Sequence, residues 1–145
     1  MAESKLSPVS LQLQRVLPHP QEVVFDAWTQ AEALSGWFAP TDEYTTIIHA
    51  LDVRAGGEYR IEMRHVSGTA SIVVGRYVEV RRPGRLVFTW RWQESGDDTL
   101  VTVELAKHGA GTELTLTHEK LESDDSRAKH EQGWVGCLGR LERAL

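Results

Sequence analysis

The middle of the chain, from residue 44 to residue 119, is a succession of short segments rich in β-branched and aromatic residues, separated by turn residues. Breaks such as Gly56-Gly57, Pro83-Gly84 and Gly109-Ala110-Gly111 recur throughout this region. They delimit six predicted strands, at 44–53, 58–65, 70–81, 85–93, 99–107 and 112–119. Because parallel pairing needs a long crossover and these connections are short, the pattern predicts antiparallel neighbours.

The segments on either side of this region add one strand and three helices. Residues 10–17 alternate as a half-buried strand, and Pro20 suits the first turn of a helix that begins at Gln21. A second short helix is predicted over 32–37. Residues 124–145 predict a long amphipathic helix, whose apolar stripe comprises Trp134, Cys137, Leu138, Leu141 and Leu145. This stripe needs a large apolar partner, and the inner face of the sheet is the one available.

One strand carries unusual bulk on a single face. Leu86, Phe88, Trp90 and Trp92 alternate with smaller or polar residues, and a period of two places all four on the same side of a sheet. Such a face either fills a core or forms the wall of a cavity.

Composition describes an ordinary globular protein that we interpret as a single domain over residues 1–145, with a loose tail at 1–8. The net charge of −5 argues against nucleic acid as the main partner. The one basic cluster, Arg81, Arg82 and Arg85, surrounds a predicted turn at Pro83-Gly84.

The single cysteine, Cys137, cannot form an intramolecular disulfide. No apolar run approaches the ~18 residues of a membrane span, and the first residues lack the pattern of a secretory signal. We therefore expect a cytoplasmic protein with no membrane span.

Several local motifs occur in the order found in a known superfamily. They are Val24-Phe25-Asp26-Ala27-Trp28-Thr29, Leu34-Ser35-Gly36-Trp37-Phe38-Ala39-Pro40, Asp52-Val53-Arg54-Ala55-Gly56-Gly57-Glu58-Tyr59, Gly75-Arg76-Tyr77-Val78-Glu79-Val80, Arg85-Leu86-Val87-Phe88-Thr89-Trp90, Gly111-Thr112-Glu113-Leu114-Thr115-Leu116-Thr117-His118 and Gly133-Trp134. The set resembles the START-like, or SRPBCC, superfamily, in the branch named after the activator of the ninety-kDa heat-shock protein ATPase.

The resemblance implies an α+β helix-grip fold. In this fold a seven-stranded curved antiparallel sheet wraps around a long C-terminal helix, two short helices follow the first strand, and an apolar cavity lies between sheet and helix. Members of the superfamily bind lipids, polyketides or hormones, and some are cyclases. The eukaryotic activator has an additional chaperone-binding N-terminal domain, for which these 145 residues have no room, so a co-chaperone role is less well supported than the fold.

We predict that a small hydrophobic or amphipathic ligand contacts residues from three regions: the inner face of the sheet, the apolar stripe of the long helix, and the end of the second short helix with the residue after it. They are Trp37, Phe38, Tyr59, Met63, Trp90, Trp92, His118, Trp134 and Leu138. The segment 37–43, marked by Gly36 before it and Pro40 within it, is a candidate gate for the cavity. Gly133 either lets the helix approach the sheet or leaves space for the ligand.

No catalytic residue, cofactor or metal is predicted, because the chain has no Gly-x-Ser-x-Gly elbow, no phosphate loop and no histidine pair at metal-ligand spacing. His118 is either a polar group that orients a ligand or a hydrogen-bonded core histidine. Cys137 lies on the apolar stripe, where thiols are usually inert.

The favoured function is therefore carriage, sequestration or sensing of a small molecule. One alternative is a cyclase- or hydrolase-type enzyme with Tyr59 and His118 as acid and base groups. The other is a protein interaction or co-chaperone-like module, with a homodimer as a possible assembly.

Overall fold

A computed structural model describes residues 9–95 and 97–145, so the predicted N-terminal tail at 1–8 lies outside the described residues. The secondary-structure elements are β1 (Val9–Leu17), α1 (Gln21–Thr29), α2 (Ala31–Ser35), β2 (Tyr44–Leu51), β3 (Glu58–His65), β4 (Ala70–Arg81), β5 (Arg85–Trp92), β6 (Thr99–His108), β7 (Gly111–Leu121) and α3 (Asp124–Ala144). Their order is the predicted one, and every predicted boundary lies within two residues of the observed one.

The seven strands form one antiparallel sheet in the order β1-β7-β6-β5-β4-β3-β2. The pairing of β1 with β7 joins the first and last strands of the chain. Register shifts between Ile48 and Ala50 in β2, and between Tyr77 and Glu79 in β4, interrupt the ladders. Irregularities of this kind bend a strand and increase its local twist. The sheet is accordingly curved, and the predicted α+β helix-grip fold is confirmed.

The helices pack on the concave face through apolar residues, and in α3 these are four of the five residues of the predicted stripe. In α1 the buried residues are Val24, Phe25, Ala27 and Trp28, and in α3 they are Trp134, Cys137, Leu138 and Leu141. Helix α3 begins where the Ser123 side chain accepts a hydrogen bond from the Ser126 backbone N–H, which satisfies one of the free amide groups at the helix start.

The alternation in β5 separates the two faces of the sheet as expected. Leu86, Phe88 and Trp90 are buried in the main core, and Trp92 is half-buried at its edge. Val87 is an exception on the opposite face, where alternation predicts exposed residues. It is also buried, next to the buried Thr102 of β6. Alternation therefore assigns the face correctly, whereas burial also depends on the neighbouring strands.

A glycine in α3 sets how closely this helix approaches the segment that follows α2. A Cβ atom at Gly136 would lie 2.1 Å from the carbonyl oxygen of Pro40, so no larger residue fits without displacing the backbone. The sequence gives no reason for this glycine, because its partner is distant along the chain. The contact brings residues 37–40 against the same helix that covers the sheet.

Candidate functional site

A cavity of about 340 Å³ lies between the concave face of the sheet, the N-terminal half of α3 and the segment after α2, and it is partly open to solvent. The side chains that line it come from all three regions. They are Phe38, Pro40, Tyr44, Met63, Ser71, Trp90, Trp92, Lys129, His130, Gly133, Trp134 and Cys137.

The exposure of these residues divides the lining into a floor and a rim. The floor consists of buried residues, Phe38, Met63, Trp90, Trp134 and Cys137, each at most 6% exposed. The rim consists of half-buried or exposed residues, Pro40, Tyr44, Ser71, Trp92, Lys129, His130 and Gly133. The floor is apolar and mostly aromatic, whereas the hydroxyl, ammonium and imidazole groups lie at the rim. Binding sites for small organic molecules commonly have this division.

Three indoles form the aromatic part of this site. The ring of Trp90 lies 5.0 Å from that of Trp134 and 5.4 Å from that of Trp92, measured between centroids. Phe38 approaches Trp134 edge-on at 5.9 Å. Rings at these distances attract one another beyond simple area burial. The aromatic side chains that line the cavity are therefore held in place by contacts with one another.

A hydrogen-bond chain fixes His118 behind the floor. The indole N–H of Trp134 donates to His118 Nδ1 at 3.1 Å, so Nδ1 carries no proton. Nε2–H then donates to the Thr99 hydroxyl at 2.7 Å, and that hydroxyl donates to the carbonyl of Trp90 at 2.9 Å. Burial, together with the nearby His130, lowers the pKa of His118 to about 3. His118 is thus a neutral imidazole with both nitrogens occupied.

His130 makes the corresponding contact at the rim. The indole N–H of Trp92 donates to His130 Nε2 at 3.1 Å, and His130 Nδ1 donates to the Ser126 carbonyl, one turn earlier in α3, at 2.8 Å. The two imidazole rings lie 4.9 Å apart between centroids. Each histidine accepts a hydrogen bond from one indole, so His130 joins α3 to β5 and His118 joins β7 to α3 along one side of the cavity.

Of the nine residues that the sequence analysis proposed for ligand contact, five line the cavity: Phe38, Met63, Trp90, Trp92 and Trp134. The structure places the other four, Trp37, Tyr59, His118 and Leu138, in the packing around it.

Two of these four have their polar atoms bound to distant backbone. The indole N–H of Trp37 donates to the carbonyl of Ala27 at 2.9 Å, which ties the segment after α2 to α1. The Tyr59 hydroxyl donates to the carbonyl of Thr89 at 2.6 Å. It reaches β5 across β4 because Gly75 has no side chain there: a Cβ would lie 2.7 Å from that hydroxyl.

The remaining lining residues were not proposed for ligand contact. Pro40, Tyr44, Ser71 and Lys129 carried no signal, because they lie between elements, at the start of a strand or on the polar side of a helix. His130, Gly133 and Cys137 fall near the apolar stripe of α3, so their spacing could have placed them beside Trp134. Nothing lies within 4 Å of a Cβ built at Gly133, so this glycine leaves open space in the lining, the second of its two predicted roles.

Three buried groups that could act as an acid, a base or a nucleophile, namely Tyr59, His118 and Cys137, are held in their neutral forms. Burial raises the pKa of the Tyr59 hydroxyl well above its usual value, and both nitrogens of His118 are engaged. Burial likewise raises the pKa of the Cys137 thiol to about 12, so it is not a thiolate at neutral pH. In the part of the chain that the structure describes, no group of three or more residues is placed to hold a metal ion.

None of the helices in the described ranges has both the length and the apolar character needed to cross a bilayer.

Comparisons with known proteins place the chain in a family. The sequence pattern of the Activator of Hsp90 ATPase homolog 1-like proteins matches residues 18–145. A search of curated proteins gives no significant match.

Solved structures share the whole fold. A protein from Chromobacterium violaceum is 28% identical with a TM-score of 0.86, and the alignment covers 92% of this chain and 94% of that one. The AHSA1 protein from Silicibacter pomeroyi is 25% identical with a TM-score of 0.85, over 93% of this chain and 96% of that one. The family match begins directly after β1, extends through α3 and includes every residue that lines the cavity. It confirms the predicted branch of the START-like superfamily. The chain therefore belongs to the family of Activator of Hsp90 ATPase homolog 1-like proteins.

Proposed function

We propose that this protein binds a small apolar or amphipathic molecule in the cavity between the sheet and α3, for carriage, sequestration or sensing. The observation that supports this most strongly is the cavity itself, about 340 Å³ in volume, with a floor of five buried side chains. Its volume falls at the lower end of the ~300–1,000 Å³ of known small-molecule sites. The ligand should therefore be compact or should extend through the open side.

The energetics of packing also favour an occupant. Protein interiors are close-packed, and side chains beside an empty space lose dispersion contacts. Trp90 and Trp134 present large ring surfaces at this space, and Gly133 adds nothing to fill it. A bound molecule would regain those contacts, and its aromatic or alkyl surface would leave water at the same time.

The chain offers a matched pair of substitutions to test this proposal. A leucine at Gly133 would project into the cavity, whereas a leucine at Gly139, on the same helix, would meet open space outside the lining. We expect native mass spectrometry of purified wild-type protein to detect a retained molecule of discrete mass. The Gly139→Leu variant should retain it, and the Gly133→Leu variant should not.

Two results would count against the proposal. If Gly133→Leu retained the same molecule, that molecule would be bound elsewhere. If wild-type protein carried no retained molecule and also failed to bind a panel of alkyl and aryl compounds by calorimetry, cavity binding would be rejected.

A further inference from the structure

We infer that the ligand is an anionic amphiphile, with its acid group at the rim beside Lys129 and its apolar part on the aromatic floor. This inference rests on the proposed function, because it assigns a chemical class to the occupant of the same cavity. Two observations support it: the charged residues that line the cavity, and the ion pairs formed by the acidic residues around them.

The lining differs in charge from the rest of the chain. The whole chain has 21 acidic and 16 basic residues, for a net charge of −5. None of the residues lining the cavity is Asp or Glu, and Lys129 is the one that carries a formal positive charge. Both ring nitrogens of His130 are engaged within the protein, Nε2 with the Trp92 indole and Nδ1 with the Ser126 carbonyl. The rim therefore carries a local positive charge, that of Lys129, on a protein whose net charge is negative.

Apart from Asp125, the acidic residues near this rim form ion pairs with groups other than Lys129. Asp124 and Glu131 flank Arg127 on the first turns of α3. Asp42 binds both Arg140 and Arg143 at 3.0 Å.

On the β2 side, Glu43 binds His65 at 3.1 Å. Within the described ranges Lys129 itself forms no ion pair, even with Asp125 one turn earlier. Its ammonium group is consequently available to an external anion.

Two hydroxyl groups complete the polar rim on the sheet side. Ser71 lies at the start of β4, directly opposite Met63 of the floor, and Tyr44 begins β2 at the same end of the sheet. Neither hydroxyl bonds to another side chain or backbone group among residues 9–95 and 97–145. Hydroxyls can donate to the oxygen atoms of an acid group, as can an ammonium. An alkyl or aryl chain attached to that group would lie on Trp90 and Trp134.

The test uses three probes with one alkyl chain and different head groups: decanoate, decan-1-ol and decylammonium. Each is titrated calorimetrically into wild-type protein at neutral pH. We expect decanoate to bind about fivefold more tightly than decan-1-ol, which corresponds to one partly exposed charge contact. We expect decylammonium to bind most weakly, although the net charge of the chain would by itself attract the cation.

Substitutions then assign the preference to one residue. Lys129→Met keeps the aliphatic stem and removes the charge, and it should bring decanoate and decan-1-ol to equal affinity. Lys107→Met removes an exposed charge in β6, away from the cavity, and should leave the fivefold preference unchanged.

The possible outcomes distinguish a failure of the anionic class from a failure of the proposal that the cavity binds a ligand. If all three probes bind wild-type protein equally and Gly133→Leu blocks them all, the cavity binds ligands but the anionic class is wrong. The class is also wrong if Lys129→Met keeps the preference for decanoate. If no probe binds in a manner that Gly133→Leu blocks, both the inference and the cavity proposal are overturned.

Discussion

The two ends of the concave sheet face differ in how completely they are filled. At one end, under α1 and α2, the rings of Tyr59, Tyr77 and Phe88 lie within 6.0 Å of one another, and only about 20 Å³ of space remains. At the other end, under the N-terminal half of α3, about 340 Å³ remains beside Trp90 and Trp134. The first space suits about one water molecule, whereas the second can hold an organic ligand.

The helices that cover the two ends differ more than the sheet residues beneath them. Both ends of the sheet face present large inward-facing residues, from Leu86 and Phe88 at one end to Trp90 and Trp92 at the other. Over the filled end α1 contributes large buried residues such as Trp28, while over the open end α3 has Gly133. In this protein the glycine at position 133 of the covering helix therefore contributes to the space at the open end.

Truncation at the two ends should show the largest difference in stability. Leu86, at the filled end, is 2% exposed, and Leu86→Ala should lower the free energy of unfolding by about 3–5 kcal/mol. Met63, beside the cavity, already lacks partners on one side, so Met63→Ala should cost about 2 kcal/mol. Urea unfolding of both variants measures the difference. Equal losses would mean that the open end is as tightly packed as the filled end.

Alanine substitutions at two glycines of α3 should change the free energy of unfolding by intermediate amounts and in opposite directions. Gly136→Ala places a Cβ 2.1 Å from the Pro40 carbonyl oxygen and should cost about 1–3 kcal/mol by overpacking. Gly139→Ala meets nothing within 4 Å and should instead gain up to about 1 kcal/mol from helix propensity. Thermal unfolding distinguishes the two. A Gly136→Ala variant as stable as Gly139→Ala would contradict the close contact between α3 and residues 37–40.

The buried His118 should make stability depend on pH. Burial lowers its pKa to about 3 from 6.5, so below pH 6.5 the unfolded chain takes up a proton that the folded chain does not. The free energy of unfolding should therefore fall by about 1.4 kcal/mol per pH unit as the pH decreases from 6.5 toward 3.

Urea unfolding between about pH 7.5 and about pH 5 tests this slope. His118→Gln should flatten it, and His108→Gln, at an exposed position at the end of β6, should leave it unchanged. An identical slope in wild type and His118→Gln would show that His118 is not the group responsible.

The smallest effect is expected at the segment 37–43. Asp42 is exposed and held by Arg140 and Arg143, so Asp42→Asn should cost about 0.2–1 kcal/mol. If this segment gates the cavity, hydrogen exchange at residues 38–43 should be slower with decanoate bound, and Asp42→Asn should raise the rate in the free protein. Equal protection in free and bound protein would reject the gate.

Local patterning predicted the order of strands and helices and the sheet side of the candidate site, whereas the helix-grip fold was predicted from the resemblance to a family. Period-two alternation placed Met63, Trp90 and Trp92 on the concave face, and they line the cavity. Helical periodicity placed Trp134 toward the sheet. These features follow from the backbone geometry of a strand or a helix, which the sequence determines over a few residues.

The remaining contacts depend on how elements dock, which local patterning does not specify. Gly136 meets Pro40 and Tyr59 reaches Thr89 through pairs of residues far apart in the chain. The rotation of α3 about its axis decides that Lys129 and His130 line the cavity while Leu138 lies in the core. An apolar stripe fixes that rotation only broadly, because it spans a wide arc of the helix.

The indole N–H signals of the five tryptophans test the central claim most directly, since Trp90, Trp92 and Trp134 line the cavity and Trp28 and Trp37 do not. Two-dimensional ¹H–¹⁵N NMR during a decanoate titration follows all five at once. Saturable shifts confined to the signals of Trp90, Trp92 and Trp134 are the predicted result. Saturable shifts of equal size at Trp28 and Trp37, or saturable binding that moves none of the three cavity indoles, would contradict a ligand site in this cavity.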